Sequence, residues 1–346
     1  MGADTDPPHQ PGAVTDDLPG FRRRMRKKTQ PLWITWESQV RNRSMSTQLG
    51  AHLLELDVSG GPLKRYALCI ARTIVWTWRW RGGIIFVQNP SIVLATLALL
   101  LRPLLRYTLI MDAHNAGIYP AEGTNSRLQR IADWLIAHVD LVLVTNEGLA
   151  RRVREVGGRP FVMPDPLPAL TAPAGSVGPA PTVLFVCTWA SDEPYVEVFK
   201  AAELLPDVTV HVTGRSKGRE SAFGRKLPPN VVLTGFVPRA EYERLLTSAH
   251  AVVDLTTRED CLVCGAYESV AAGAPFVLSN TKALREYFRV GGVHVDNEAG
   301  AIAAGIRAIL NDYGTYRAAV ERLRRILETE WNEKKHTLLA AIERQA

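Results

Sequence analysis

The chain has 346 residues, 46% of them hydrophobic and 22% charged, a composition that fits about two globular domains and excludes wholesale disorder. Its net charge of +6 is unevenly placed: residues 1–165 hold 21 Lys and Arg against 14 Asp and Glu, residues 166–346 hold 20 against 21. Four cysteines (Cys69, Cys187, Cys261, Cys264) are too few for a disulfide scaffold of this length, and a lone Cys261-x-x-Cys264 without a second pair or a spaced His is a poor zinc site.

Residues 1–30 read as a disordered basic tail. Pro7, Pro8, Pro11, Asp16 and Asp17 stand where a secretory signal would be apolar. The tail ends in the cluster Arg22–Lys28. Two readings of it stay open: a solvated segment, or a contact with anionic lipid at about 1 kcal/mol per basic residue near the surface. From Pro31 apolar runs alternate with stretches of helical length. Leu32–Trp36 predicts a strand, residues 37–46 a polar loop, Leu53–Val58 a strand, Tyr66–Trp80 a helix and Ile84–Gln88 a strand. Ile92–Leu101 predicts a helix, and Tyr107–Met111 a strand ending at Asp112-Ala113-His114-Asn115. Ser126–His138 is an amphipathic helix, and Leu141–Thr145 closes the series. Wholly apolar short strands separated by helices mark a parallel sheet covered on both faces, so residues 31–165 predict a Rossmann-like domain. The apolar run Ser91–Leu101 stops at Arg102-Pro103, short of the roughly 20 residues that a span requires, and predicts a buried or membrane-touching helix.

Residues 166–181, in a Pro-, Gly- and Ala-rich stretch that opens at Pro164, read as a linker. A second series follows over residues 182–311. Its strands are Thr182–Cys187, Thr209–Thr213, Val231–Thr234, Ala251–Leu255 and Pro275–Leu278. Its helices are Val196–Leu205, Glu241–Ala249, Ala266–Ala272 and Ala299–Asn311, and residues 312–346 are helical to the end. In open α/β sheets ligands sit beyond the carboxyl ends of the strands, so two such domains enclose a composite cleft.

The richest stretch runs from Asp254 to Glu268. A strand stops, a loop carries Glu259 and Asp260, and a helix starts near Val263. Unpaired amides at a helix start can hold phosphate. Gly265 allows close approach, and Glu268, one turn in, can reach sugar hydroxyls. An equal reading makes Glu259 and Asp260 capping acids and Glu268 a surface or ion-paired residue. His114, at a strand end, is either structural or able to hydrogen-bond a sugar hydroxyl or the reacting centre. A second reading of Asp112 is as a cap of the turn.

Asp260, seven intervening residues and Glu268, followed by Ser269-Val270-Ala271-Ala272-Gly273-Ala274-Pro275-Phe276-Val277-Leu278-Ser279, resembles the Glu-x7-Glu signature of the family 4 retaining glycosyltransferases. There the second Glu opens a small-residue helix, and a Gly-x-Pro turn leads into a buried strand. Leu284-Arg285-Glu286-Tyr287-Phe288 also suits that family. The resemblance implies a GT-B fold: two Rossmann-like domains facing a cleft, with the C-terminal helix crossing back to the N-terminal domain. It puts Glu268 on the nucleotide ribose and the amides of Leu262 and Val263 near the diphosphate. Asp260 takes the place of the first Glu at the donor sugar, with Glu259 as its substitute if the shorter Asp shifts that contact. His114 falls near the donor sugar, with Asp112 and Asn115 beside it on the acceptor side. Arg43 and Ser44 lie where this fold places an acceptor loop. The segment Cys187–Tyr195 departs from the family, lacking the Gly-rich turn with an Arg and a Lys that many relatives use for phosphate. Arg215 either replaces that charge or belongs to a solvated loop.

The implied activity is retaining sugar transfer from a nucleotide-sugar co-substrate to a saccharide or lipid-linked acceptor, in cell-surface polysaccharide or glycolipid synthesis. No metal or other cofactor is expected: the one Asp-x-Asp of the sequence, Asp4-Thr5-Asp6, lies in the N-terminal tail and not at a strand end. The expected location is the cytoplasm, peripheral on the inner membrane face, against an anionic lipid surface. The alternative is a non-catalytic sugar-nucleotide-binding or scaffold partner of another transferase. Nucleic acid is not expected as a partner, because the basic excess carries no aromatic stacking module.

Overall fold

The computed structural model describes residues 30–89, 91–171, 175 and 177–343; the cluster Arg22–Lys28 lies outside them. Strand-forming sequences in the first half are mostly apolar, and each but the last is followed by a helix. In order they are β1 (Leu32–Thr35), α1 (Val40–Gln48), β2 (His52–Glu55), α2 (Pro62–Arg79), β3 (Ile84–Asn89) and α3 (Ile92–Leu105). Then come β4 (Thr108–Ala113), the single turn α4 (Asn115–Ile118), α5 (Ser126–His138), β5 (Leu141–Val144), α6 (Glu147–Glu155) and β6 (Pro160–Val162). Polar side chains start several of these helices: Asn125 accepts from the Arg127 and Leu128 amides, and Asn146 from the Leu149 amide at 3.1 Å.

The second half repeats the plan with β7 (Thr182–Phe185), α7 (Tyr195–Glu203), β8 (Thr209–Thr213), β9 (Val231–Gly235), α8 (Arg239–Ser248) and β10 (Ala251–Asp254). It continues through α9 (Cys264–Ala272), β11 (Phe276–Ser279), α10 (Lys282–Tyr287), β12 (Gly292–Val295), α11 (Ala299–Asn311) and α12 (Tyr313–Glu343). Each half forms a parallel six-stranded sheet, in the orders β2-β1-β3-β4-β5-β6 and β12-β11-β10-β7-β8-β9. Strand order reverses between β1 and β3 in the first sheet and between β7 and β10 in the second. Those are the points where crevices open at the carboxyl ends.

Side chains of α2, α3, α5 and α6 cover one face of the first sheet. The other face is covered by α1 and by the far end of α12. That helix has 31 residues, about 46 Å at 1.5 Å per residue. It packs Val320, Leu323 and Leu327 in its own half against Phe276 and Tyr267. It then places Trp331, Leu338 and Ile342 beside Trp33, Met45 and Phe86 of the first half. The Trp331 indole donates to the Pro164 carbonyl at 3.0 Å. The C-terminal helix therefore crosses back, as expected.

Four stretches differ from the sequence reading. Residues 37–46 are not a continuous loop, because α1 begins at Val40. Its sequence has no apolar stripe; polar Arg41 and Asn42 are buried, with the Trp33 indole donating to Asn42 Oδ1 at 3.0 Å. The series in the first half does not close at Thr145 but adds α6 and β6. The second half adds the strand β12. In α3 the helix continues past Leu101 through Pro103, which sits in the last turn where one backbone bond is lost, and ends at Arg106 in the left-handed region (φ 52°).

Replacing Trp331 by Ala removes a buried indole and its hydrogen bond, so urea unfolding should show a loss of about 3–5 kcal/mol. A change below 1 kcal/mol would mean that the crossing does not hold the halves together.

Candidate active site

At the switch point of the second sheet, β10 ends in Asp254, a buried carboxylate that accepts from the Gly265 amide at 2.7 Å. A Cβ at position 265 would strike that carboxylate and come within 2.9 Å of the Val186 Cβ, so only glycine lets α9 approach β7 and β10 this closely. Burial pushes the Asp254 carboxyl well above its ordinary range, and Glu193, Glu268 and Asp192 add to the effect against the Gly265 amide. Among the described residues no acceptor pairs with the amides of Leu262 and Val263, which precede α9. Glu268 lies one turn inside that helix and accepts from the Tyr242 hydroxyl of α8. Burial raises its pKa, and the Tyr242 hydrogen bond works the other way by favouring the ionised form.

The loop after β7 is closed by its own acid. The Glu193 carboxylate accepts from the Thr188 amide (2.9 Å), the Ala190 amide (3.0 Å), the Thr188 hydroxyl (2.7 Å) and the Cys187 thiol (3.2 Å). Backbone amides that would otherwise form an anion-binding nest thus hold an internal anion. Arg215 does not reach this loop; it is exposed and lies over the Phe236 ring, 5.6 Å from its centre. Arg219 does reach it, donating to the Trp189 carbonyl.

Across the cleft, β4 ends at Asp112, which is fully buried and paired with Arg41 of α1 at 2.7 Å. Arg41 also pairs with Asp165 and donates to the Met163 carbonyl at 3.2 Å. Burial pushes the Asp112 pKa up, but the Arg41 guanidinium and the nearby His114 imidazole together outweigh it and hold the carboxyl well below the usual range. Asp112 is therefore part of a buried ion pair rather than an open group. His114 Nε2 stands 3.6 Å from Asp112 Oδ2, beyond hydrogen-bond reach. Among the described residues this buried nitrogen has no hydrogen-bond partner. Asn115 begins α4 beside it, half-buried. Arg43 and Ser44 do not join this group. They lie on α1, where Arg43 pairs with Glu55 at 2.7 Å and the Ser44 hydroxyl donates to the Arg41 carbonyl.

The two halves meet at the loop before α9. Asn146 donates to the Asp260 carbonyl at 3.0 Å, and the Asp260 carboxylate lies against Gly148 so closely that a Cβ there would overlap it. Burial raises the Asp260 pKa, with Arg151 opposing it. Glu259 instead accepts from the Lys282 amide at 2.7 Å. Arg258, which the sequence did not single out, joins Glu122 of the first half (2.6 Å) to Asp192 of the second (3.3 Å). Asp260 also lines a cavity of about 240 Å³ with Asn146, Gly148, Arg151, Lys282 and Glu286; neither His114 nor Glu268 lines it.

Residues 172–326 match the family "Glycosyl transferases group 1", and residues 13–164 match "Glycosyl transferase 4-like domain". The chain belongs to the GT-B glycosyltransferases. Among solved structures it is similar to a sucrose-phosphate synthase from Thermosynechococcus elongatus (TM-score 0.70, 16% identity, covering 91% of this chain and 98% of that one). It is likewise similar to HepE from Anabaena in complex with UDP-glucose (TM-score 0.68, 13% identity, 91% and 98% covered). A third is the α,α-trehalose 6-phosphate synthase of Burkholderia multivorans (TM-score 0.60, 13% identity, 83% and 76% covered). At these identities the likeness is one of fold. No curated protein matches the chain by sequence.

In this glycosyltransferase the site residues separate into two groups: His114, Asp112 and Arg41 at one strand end, and Glu268, Tyr242, Asp254 and the Leu262 and Val263 amides at the other. Among the described residues no three His, Cys, Asp or Glu side chains gather as a metal-binding group. Cys261 and Cys264 are free thiols, and burial pushes Cys261 up to about 12, which makes it a poor nucleophile.

Asp112 is depressed in the folded state, so its stabilising effect is complete above the unfolded carboxyl pKa of about 3.9 and is lost as pH falls through its lower folded value. Arg41→Met removes the partner and leaves a buried charge, which should cost about 3–5 kcal/mol at pH 7. Without Arg41, burial raises the carboxyl, so urea titrations should show a smaller deficit at pH 4.5. An equal deficit at both pH values would refute the pairing.

Proposed function

We propose that this protein is a retaining, metal-independent glycosyltransferase that moves a hexose from a nucleotide-sugar to a saccharide or lipid-linked acceptor in cytoplasmic synthesis of cell-surface polysaccharide or glycolipid. The observation that carries this reading is Glu268, set behind two unpaired amides at the switch point of the second sheet. An ionised Glu268 has lone pairs left beside the Tyr242 bond to accept from ribose hydroxyls. The Leu262 and Val263 amides, at the positive end of α9, suit the diphosphate and the charge that develops as it leaves. On the facing strand end, the unpartnered His114 Nε2 is free to bond the donor sugar. Asp260 rather than Glu259 is left for the first-carboxylate position, since Glu259 is engaged by α10, while the Asp260 carboxylate lies between the halves against Gly148.

The donor is found by thermal shift and turnover against UDP-, GDP- and ADP-sugars. Glu268→Gln should weaken donor binding by about tenfold, the loss of one charge-assisted hydrogen bond. His114→Ala should lower kcat by about a hundredfold with little change in donor KM. Unchanged turnover in both variants would refute the site.

A non-catalytic, sugar-nucleotide-binding role is the second reading, favoured by the Glu193 carboxylate in the loop where many relatives clamp phosphate. Glu193→Gln removes that internal anion and should tighten nucleoside diphosphate binding several-fold if the loop serves phosphate. Binding without turnover of any donor would favour this second reading.

A further inference from the structure

We propose that the outer face of the first domain, built by α2, α3 and α5, docks on an anionic lipid bilayer, with hydrocarbon seated in the groove between these helices. The proposal stands on this surface alone and does not rest on sugar transfer.

Each of the three helices carries an outward apolar stripe at spacings of three or four, which keeps the stripe on one side. On α2 it runs Tyr66, Ile70, Ile74, Trp78; on α3 Val93, Leu97, Leu100, Leu104; on α5 Ile131, Trp134. Leu104 is 70% exposed, Leu100 66% and Trp78 54%. The stripes meet in a groove of about 530 Å³, lined by Ile70 from α2, Val93 and Leu100 from α3, and Ile131 and Trp134 from α5. A continuous apolar patch of this kind marks an interaction site on a folded protein.

The surrounding charge selects the partner. There are four cations in α2, one in α3 and two in α5, and the single acid in these helices, Asp133, is paired with Arg152 at 2.7 Å. Lys64, Arg72, Arg79, Arg127 and Arg130 are exposed. An apolar face ringed by basic side chains, with indoles at its edge, has the chemistry of an interfacial membrane contact. At the end of α2 the Trp80 indole donates to the Gln30 carbonyl at 3.0 Å. The start of the described chain is thus tied to the C-terminal end of α2, and the cluster Arg22–Lys28 lies just before that point in sequence. Among the described residues no helix is long and apolar enough to cross a membrane, so the contact is one of docking.

The full chain is sedimented with phosphatidylcholine vesicles with and without phosphatidylglycerol, at low and high salt. Binding should require phosphatidylglycerol and fall with salt. The double variant Trp78→Ser/Leu100→Ser should lower the association constant by about tenfold, in keeping with the dependence on buried apolar area. Deleting residues 1–28 should weaken binding to anionic vesicles and reduce its salt dependence. Circular dichroism melts show that the variants remain folded; the replaced side chains are exposed. Equal binding to neutral vesicles, or unchanged binding by the double variant, would overturn the proposal. So would a dimer of the full chain that the double variant converts to monomer in light scattering, without vesicle binding, since a second copy would then be the occupant.

Discussion

The cleft depends on one helix serving two cores. α12 starts among Phe276 and Tyr267 and ends among Trp33 and Phe86, burying apolar surface in both halves. Neither set of contacts could be given up without exposing the other face of a sheet. A parallel sheet needs cover on both sides, and one face of the first sheet is covered jointly by α1 and by residues near the far end of the chain. This shared cover brings the carboxyl ends of β4 and β10 into one cleft. The residues at those ends come from segments more than a hundred positions apart.

Within the cleft, charge is managed differently on the two sides. The first half neutralises its buried acid outright: Asp112 has a bidentate guanidinium, and Arg41 in turn reaches Asp165 and Met163. Such a pair is costly to split because either partner alone would be an uncompensated buried charge. It gives His114 a rigid base. The second half gathers Asp192, Glu193, Asp254 and Glu268, with the half-exposed Arg258 bound to Asp192. Hydroxyls and amides donate to Asp192, Glu193, Asp254 and Glu268, while Asp192 Oδ1 is left without a hydrogen bond. Neutral donors turn inward toward carboxylates here, which suits recognition of hydroxyl groups and leaves the α9 amides as the main positive feature.

Much of this was legible in the sequence where burial is purely apolar. The strands around Ile84, Thr108, Leu141 and Ala251 are runs of Val, Ile and Leu with helices between, and no other arrangement buries them on both faces. Glu268 was legible because its position follows from a strand, a loop and a small-residue helix in sequence order. What was missed depends on partners distant in sequence. α1 lacks an apolar stripe because its buried side is Arg41 and Asn42, made tolerable by Asp112 and Thr35. Treating that segment as a loop pointed to Arg43 and passed over Arg41, but two positions along a helix point to nearly opposite sides, and Arg43 meets Glu55 instead. The Glu193 nest and the Arg258 bridge were hidden for the same reason: their meaning lies in which amides and acids the fold delivers to them.

The hydrogen bond from Trp331 to the Pro164 carbonyl has a mechanical consequence. The polypeptide passes between the halves twice, once after β6 and once along α12, and this bond ties the two passages together at one place. Two covalent crossings that coincide act as a single pivot. Relative motion of the halves is then confined to rotation about that pivot, like the blades of a pair of shears. The Arg258–Glu122 bridge spans the halves elsewhere, within reach of solvent, where an exposed pair contributes only about 0–1 kcal/mol. The buried apolar contact between the halves is concentrated at the pivot, and the mouth adds the Asn146–Asp260 hydrogen bond to this bridge.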